Sequence, residues 1–356
     1  MHVYILTFIL SLILYFLFDR KKRKKNRIFY FSSLPLILIS GLRYDVGTDY
    51  FPTYYTGFYR ILTRKMVDNF EIGYILFNKL IQIFTDNVFV LFFLTSILFI
   101  MFTFKGIYNL SINIPLSIVL LLLTRYFFIS MNGVRQFISL AILLCSIKYI
   151  IERDLKKYLF FMLLAFLFHY TSILFIPCYF LCRLKISKLK FVFFSFITVF
   201  GSKLILKLAM ILLIGTKYGN LLEKYPLCGI KFTIFTIFIN IYILFFSYIG
   251  YSKRKNDKKY IVFLNLQIIC TLLTFILRII PLMERVYWIF SFPIIVSLPY
   301  LFQNVKNKKI FLFFIGALLF VYMIYDIQVL GDHEVIPYKW IYNKKAIFDD
   351  GWRWYQ

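Results

Sequence analysis

Val3-Tyr-Ile-Leu-Thr-Phe-Ile-Leu-Ser-Leu-Ile-Leu-Tyr-Phe-Leu-Phe18 is an unbroken run with hardly a polar side chain; Asp19-Arg-Lys-Lys-Arg-Lys-Lys-Asn-Arg27 follows it, and a second apolar run then leads to Arg43. The hydrocarbon core of a bilayer takes about 20 apolar residues per helix, and short Lys/Arg-rich loops mark the cytoplasmic side. Residues 3–18 are therefore expected to cross the membrane, with residues 19–27 inside and the N-terminus outside. The stretch does not read as a cleaved signal. Its charges follow the apolar run instead of preceding it, and no small-residue cleavage site appears. A second span, about 28–42, delivers Arg43 to the outer surface.

The rest of the chain repeats this pattern. Of its residues, 61% are hydrophobic and only 16% charged, with 45 Phe and 28 Tyr, whereas soluble domains carry roughly a quarter charged residues. At about 20 residues per span, the length allows about ten to thirteen crossings. The expected fold is all-α, a polytopic transmembrane helical bundle forming a single integral membrane domain over 1–356. The net charge of +26 would suggest nucleic acid in a soluble protein. Here the cations bunch between apolar runs: Arg153 with Lys156 and Lys157, Arg183 to Lys190, Lys253 to Lys259, and Lys306 to Lys309. Membrane topology accounts for them, and no nucleic-acid partner is expected.

Spans near 134–151, 158–169, 171–184, 188–202, 231–251, 260–277, 286–302 and 309–325 place every basic cluster inside and both termini outside. An external loop (43–70), an external segment (203–230) and an external C-terminal tail (326–356) remain. Region 71–131 holds three apolar stretches, 71–85, 88–104 and 114–130, where parity allows two crossings. The first carries Glu71, Asn78, Lys79 and Gln82, and is expected to be re-entrant or interfacial, which membranes tolerate where protein or water covers the backbone. The apolar part of 158–168 is short, so His169 is expected below the outer surface, in a pit.

The ionisable residues outside the basic loops collect on the outer side: Arg43, Asp45, Asp49, Glu71, Arg135, His169, Arg278, Glu284 and Arg285. Such groups at membrane depth usually face a cavity or a partner. Arg43, Arg135, Arg278 and Arg285 suit an anion, because guanidinium binds phosphate through two donors. Asp49, Glu71 and His169 are candidate proton acceptors, and the sequence does not choose among them. Each has a plainer reading. Arg43 could snorkel to the interface, Gly47 could serve a turn, and Glu71 could cap its helix. His169 could be a core residue bonded to Thr171 or Ser172. Arg278, Glu284 and Arg285 could pair among themselves. Tyr218 and Tyr225 could line a sugar path, and Lys203 and Lys207 could meet lipid phosphate, while His2 and His333 read as surface residues. The five cysteines lack His or carboxylate partners at metal-ligand spacing and read as packing residues. No metal and no cofactor is expected.

Gly41-Leu-Arg-Tyr-Asp-Val-Gly-Thr-Asp-Tyr50, Glu71-Ile-Gly-Tyr74, Val134-Arg-Gln136, Phe168-His-Tyr-Thr-Ser172 and Glu284-Arg285 together resemble, in order, the EpsG-type branch of Wzy-like polysaccharide polymerases. The resemblance runs from residue 1 to about 340. It implies a bacterial cytoplasmic (inner) membrane enzyme that joins undecaprenyl-pyrophosphate-linked oligosaccharide repeats on the outer face, with a flippase and a chain-length regulator among its partners. The expected reaction is glycosyl transfer: positive charge from Arg43, Arg135, Arg278 and Arg285 on the leaving pyrophosphate, and a base from Asp49, Glu71 or His169 on the attacking hydroxyl. A lipid-linked glycan flippase would instead show polar residues through the midplane and pseudo-symmetric halves. A membrane O-acyltransferase would need a catalytic His with an acid nearby.

Overall fold

In the computed structural model of the chain, residues 1–19, 30–63, 70–202, 204, 207, 211, 229–251, 253–277, 279 and 283–342 are described. Among them all regular structure is helical, and the one extended pairing is a single antiparallel bridge between Arg43 and Trp340. Four helices are long and apolar enough to cross a bilayer: Val88–Leu110, Val134–Glu152, Ile230–Tyr251 and Lys308–Val329. A fifth candidate is the pair Ile114–Leu123 and Tyr126–Asn132, bent by 55°. Shorter apolar helices accompany them, including His2–Leu17, Tyr30–Gly41 and Leu189–Phe200. The protein is an all-α polytopic bundle. Leu6, Ile13, Phe193, Phe238, Phe313 and Val321 stay exposed on its flanks, a surface that lipid rather than water covers.

The helices are more broken than the apolar runs suggest. The run 171–184 is not one helix: a 3-10 turn over Tyr170–Phe175 precedes a short helix, Cys178–Leu181, that starts after Pro177. Likewise 286–302 divides at Pro293 into Met283–Ser291 and Ile294–Leu301. Proline has no N–H to donate and its ring clashes with the preceding turn. The third break carries neither proline nor glycine. At 124–125 the Thr124 hydroxyl bonds back to the Leu120 carbonyl at 2.6 Å, and Arg125 takes a left-handed backbone, φ +66°. The Arg125 guanidinium is buried in an ion pair with Asp326 and lies over the Tyr322 ring, so a tertiary contact fixes the bend.

Helix Ile72–Gln82 has 11 residues, about 16 Å at 1.5 Å per residue, half of the roughly 30 Å apolar thickness of a bilayer. It is too short to cross, as expected for 71–85. Its C-terminal end stays near the first loop, where Gln82 Nε2 donates to the Phe58 carbonyl at 2.7 Å.

Long-range contacts sort the loops into two ends. At one, Lys185 reaches Asn256 at 3.3 Å, Tyr248 donates to the Ile186 carbonyl, and Tyr300 donates to Asp257, which gathers two of the basic clusters. At the other, Tyr4 donates to the Val335 carbonyl at 2.8 Å and Tyr338 to the Ile39 carbonyl at 3.0 Å. Two backbone bonds, Tyr44 to Lys339 and Ile341 to Leu42, strap the tail across the first loop. Between the two ends runs the central helix Val134–Glu152, which is the most buried of the long helices. Cys145, Cys178, Cys182 and Cys270 are buried free thiols, and Cys228 lies outside the described residues.

Candidate functional site

Glu71 begins the short helix but does not cap it: its side chain accepts no bond from the helix N-terminus. Instead the carboxylate, 5% exposed, forms an ion pair with Arg135 through one oxygen and meets His169 Nδ1 through the other at 2.8 Å. Three separate motifs thus converge on one carboxylate. Gly73 makes this possible. A Cβ there would lie 2.5 Å from the Leu167 carbonyl oxygen, so only glycine lets the short helix approach the end of Leu155–Phe168, which carries His169. Arg135 lies over the Phe70 ring, 4.7 Å from its centre, with the buried Tyr54 phenol against it.

The bond to Glu71 sets the tautomer of His169. A carboxylate only accepts, so Nδ1 carries the hydrogen and Nε2 presents its lone pair. Nε2 is buried without a partner among the described residues, as are the Thr171 and Ser172 hydroxyl oxygens. The expected bland pairing of His169 with Thr171 or Ser172 is therefore not made. A buried polar atom left open in this way is costly and calls for a ligand or water.

Asn132 is the second hub, and spacing gave no hint of it. Its Oδ1 accepts from the Asp49 backbone N–H at 2.8 Å and from the Thr48 hydroxyl at 2.9 Å; its Nδ2 faces His333 Nδ1 at 3.2 Å. The preceding Met131 carbonyl accepts from Arg43 at 3.0 Å, and Gly47, at φ +104°, passes so close that a Cβ would sit 3.2 Å from that same oxygen. Gly47 thus serves a turn and a close backbone approach. Asp49 is half-buried, its carboxylate bonded by Thr53 at 3.2 Å.

The arginines divide. Arg43 is 1% exposed and its two terminal nitrogens bond the Ser40 and Met131 carbonyls, with Phe92 under its guanidinium; it braces the loop, and its Nε has no partner among the described residues. Arg135 is engaged by Glu71. Arg285 is exposed and makes no ion pair among the described residues, and its neighbour Glu284 does not pair with it. Gln136 Nε2 holds the Arg285 carbonyl at 2.8 Å. That bond sets Arg285 beside the helix start that carries Arg135. Asp45 meets Lys339 of the tail. Arg278, Tyr218, Tyr225 and Lys203 lie outside the described residues, as does most of 203–230.

His333 is not the surface residue that the sequence suggests. Its ring is half-buried between Asn132 and Trp288. Burial, reinforced by the nearby Arg125 cation, pushes its pKa down to about 4, so it is neutral at physiological pH. It sits on a strained turn: Gly331, His333 and Glu334 all have positive φ, +69°, +66° and +49°. Left-handed backbone at two non-glycine residues costs on the order of 1–3 kcal/mol each and collects at functional sites. The only sequence cue was the short Gly331-Asp-His-Glu334 stretch.

Among the described residues no group of three His, Cys, Asp or Glu side chains could hold a metal ion. No curated protein and no solved structure matches the chain. A family model does, over residues 26–340, an interval that holds Glu71, Asn132, Arg135, His169, Arg285 and His333. The chain belongs to the EpsG family, which places it in polysaccharide biosynthesis at the membrane.

Proposed function

We propose that this protein is a repeat-unit polymerase. In this reading it transfers a growing glycan from polyprenyl pyrophosphate, of the undecaprenyl type, to a single lipid-linked oligosaccharide repeat on the outer face of the bacterial cytoplasmic membrane. The observation that carries the reading is the EpsG family match over residues 26–340, and His169 supplies the chemistry: its Nδ1 is held by a buried, arginine-paired carboxylate while Nε2 is buried and open. That is the arrangement of a general base with an orienting acid. The site also lies with the first loop and the tail rather than with the basic loops 183–190 and 253–259, which read as cytoplasmic by charge.

The chemistry follows from these groups. His169 Nε2 takes the proton of an acceptor hydroxyl as its oxygen bonds to the anomeric carbon of the donor. The bond from that carbon to the pyrophosphate breaks, and its electron pair leaves with the lipid pyrophosphate. Glu71 stabilises the imidazolium that forms, and Arg135 keeps Glu71 ionised. Arg285, the exposed guanidinium, receives the developing negative charge. Of the three candidate bases, His169 takes the role, Glu71 orients it, and Asp49 is left to shape the acceptor side.

The test is a deletion strain in which the flippase and the surface acceptor function. Without the protein the surface should show single repeat units and no ladder of longer chains. His169→Ala and Glu71→Gln should reproduce that pattern, cutting chain growth about 10²–10⁴-fold. A deletion strain with no external single units would overturn the reading, because a transporter, not a polymerase, would then have been lost.

A further inference from the structure

We propose that His333, carried in from the C-terminal tail, is a substrate-contacting residue of this site that donates a hydrogen bond from Nε2 to an oxygen of the leaving pyrophosphate. The inference rests on the polymerase reading for the identity of the ligand, and on hydrogen-bond polarity for the role of the residue.

The polarity starts at Asp49, whose backbone N–H can only donate. It points at Asn132 at 2.8 Å, so the oxygen of that side-chain amide must face it, and the Thr48 hydroxyl shares the same oxygen. The amide is thereby fixed one way round, and its NH₂ faces His333 Nδ1 at 3.2 Å. An NH₂ only donates, so Nδ1 must hold a lone pair and the ring hydrogen sits on Nε2. His169 has the reverse arrangement, with hydrogen on Nδ1 and a bare Nε2.

The structure therefore ties two imidazoles of opposite sense to one short stretch, His333 to Asn132 and His169, through Glu71, to Arg135. One can accept a proton from the attacking hydroxyl. The other offers an N–H where negative charge develops. His333 packs between Asn132 and Trp288; burial, reinforced by the Arg125 cation, keeps its ring neutral, and a neutral ring is what the bond from Asn132 requires. The strained turn at His333 and Glu334 and the closure of the tail over the first loop are the means by which a residue so late in the chain is brought in.

The chain has only three histidines, so ¹⁵N-histidine labelling of the purified protein in lipid gives three ring signals, assigned with His2→Gln and His169→Gln. The expected result is one ring protonated at Nε2 (His333) and one at Nδ1 (His169). Titration with inorganic pyrophosphate should shift the His333 Nε2 signal, and Arg285→Ala should weaken that shift. Asn132→Asp keeps an acceptor for Asp49 but cannot donate to the ring, so it should move the His333 hydrogen to Nδ1 and cut chain growth at least tenfold with folded protein unchanged. His333→Gln places an amide N–H near the position of Nε2 and should retain far more activity than His333→Asn, which keeps only the near contact. A His333 ring protonated at Nδ1 in the unmodified protein, or an Nε2 signal unmoved by pyrophosphate, overturns the proposal. Neither readout requires that the protein make polymer, so failure of the polymerase reading would be seen separately, as absence of chain growth from purified lipid-linked repeats by the unmodified protein.

Discussion

Arg43 and Arg135 carry the same charge into different employment. The Arg43 guanidinium is consumed by backbone carbonyls of two segments, Ser40 and Met131, so its fork holds the fold. Arg135 meets a carboxylate that also holds the candidate base. Lysine keeps the charge but loses the planar fork. Arg43→Lys should therefore lower the melting temperature in detergent, with each lost buried hydrogen bond costing about 1–3 kcal/mol. Arg135→Lys should leave folded yield near normal while polymer falls most of the way to background; full activity in Arg135→Ala would remove it from the site. Spacing alone put both arginines on an anion. What separates them is which backbone folds against each, and local sequence carries no trace of that. Glu71, Arg135 and His169 stood out as candidates because ionisable residues at membrane depth are expensive and usually face a partner or a cavity. Asn132 and His333 did not, since an amide and a tail histidine cost little until tertiary structure surrounds them.

At the level of elements, apolar length was legible and continuity was not. The runs around Pro177 and Pro293 read as single spans, yet each breaks at its proline. The break at 124–125 has only a weak local cue, the Thr124 hydroxyl bonded back to Leu120, beside the buried ion pair between Arg125 and Asp326. The short helix Ile72–Gln82 was foreseen from its polar content, but the reason for its placement is Gly73 and its approach to Leu167. Gly73→Ala should force the two helices apart, with an overpacking cost of about 1–3 kcal/mol, and carry Glu71 away from His169. Chain growth should drop by more than the loss of folded protein accounts for. Unchanged activity per folded molecule would show that the approach is not needed for catalysis.

For the whole molecule, charge distribution makes an orientation testable. In a cysteine-free variant, single cysteines at the exposed Pro52 and Trp340 should react with an impermeant reagent added to whole cells, and one at the exposed Asn256 should not. The reverse pattern would turn the site toward the cytoplasm. That the loops 183–190 and 253–259 share one end was inferable from their charge, but that the tail closes on the first loop was not, because bonds such as Tyr4 to Val335 join residues 331 positions apart. That closure has a consequence in time. The ribosome makes Glu71, Arg135 and His169 long before it makes His333, Val335 and Tyr338. A half-made chain thus carries Glu71, Arg135 and His169 before the residues that close the tail over the first loop exist. Under the proposed function, the site is complete only once translation has passed the tail, so the order of synthesis sets when a copy can first act.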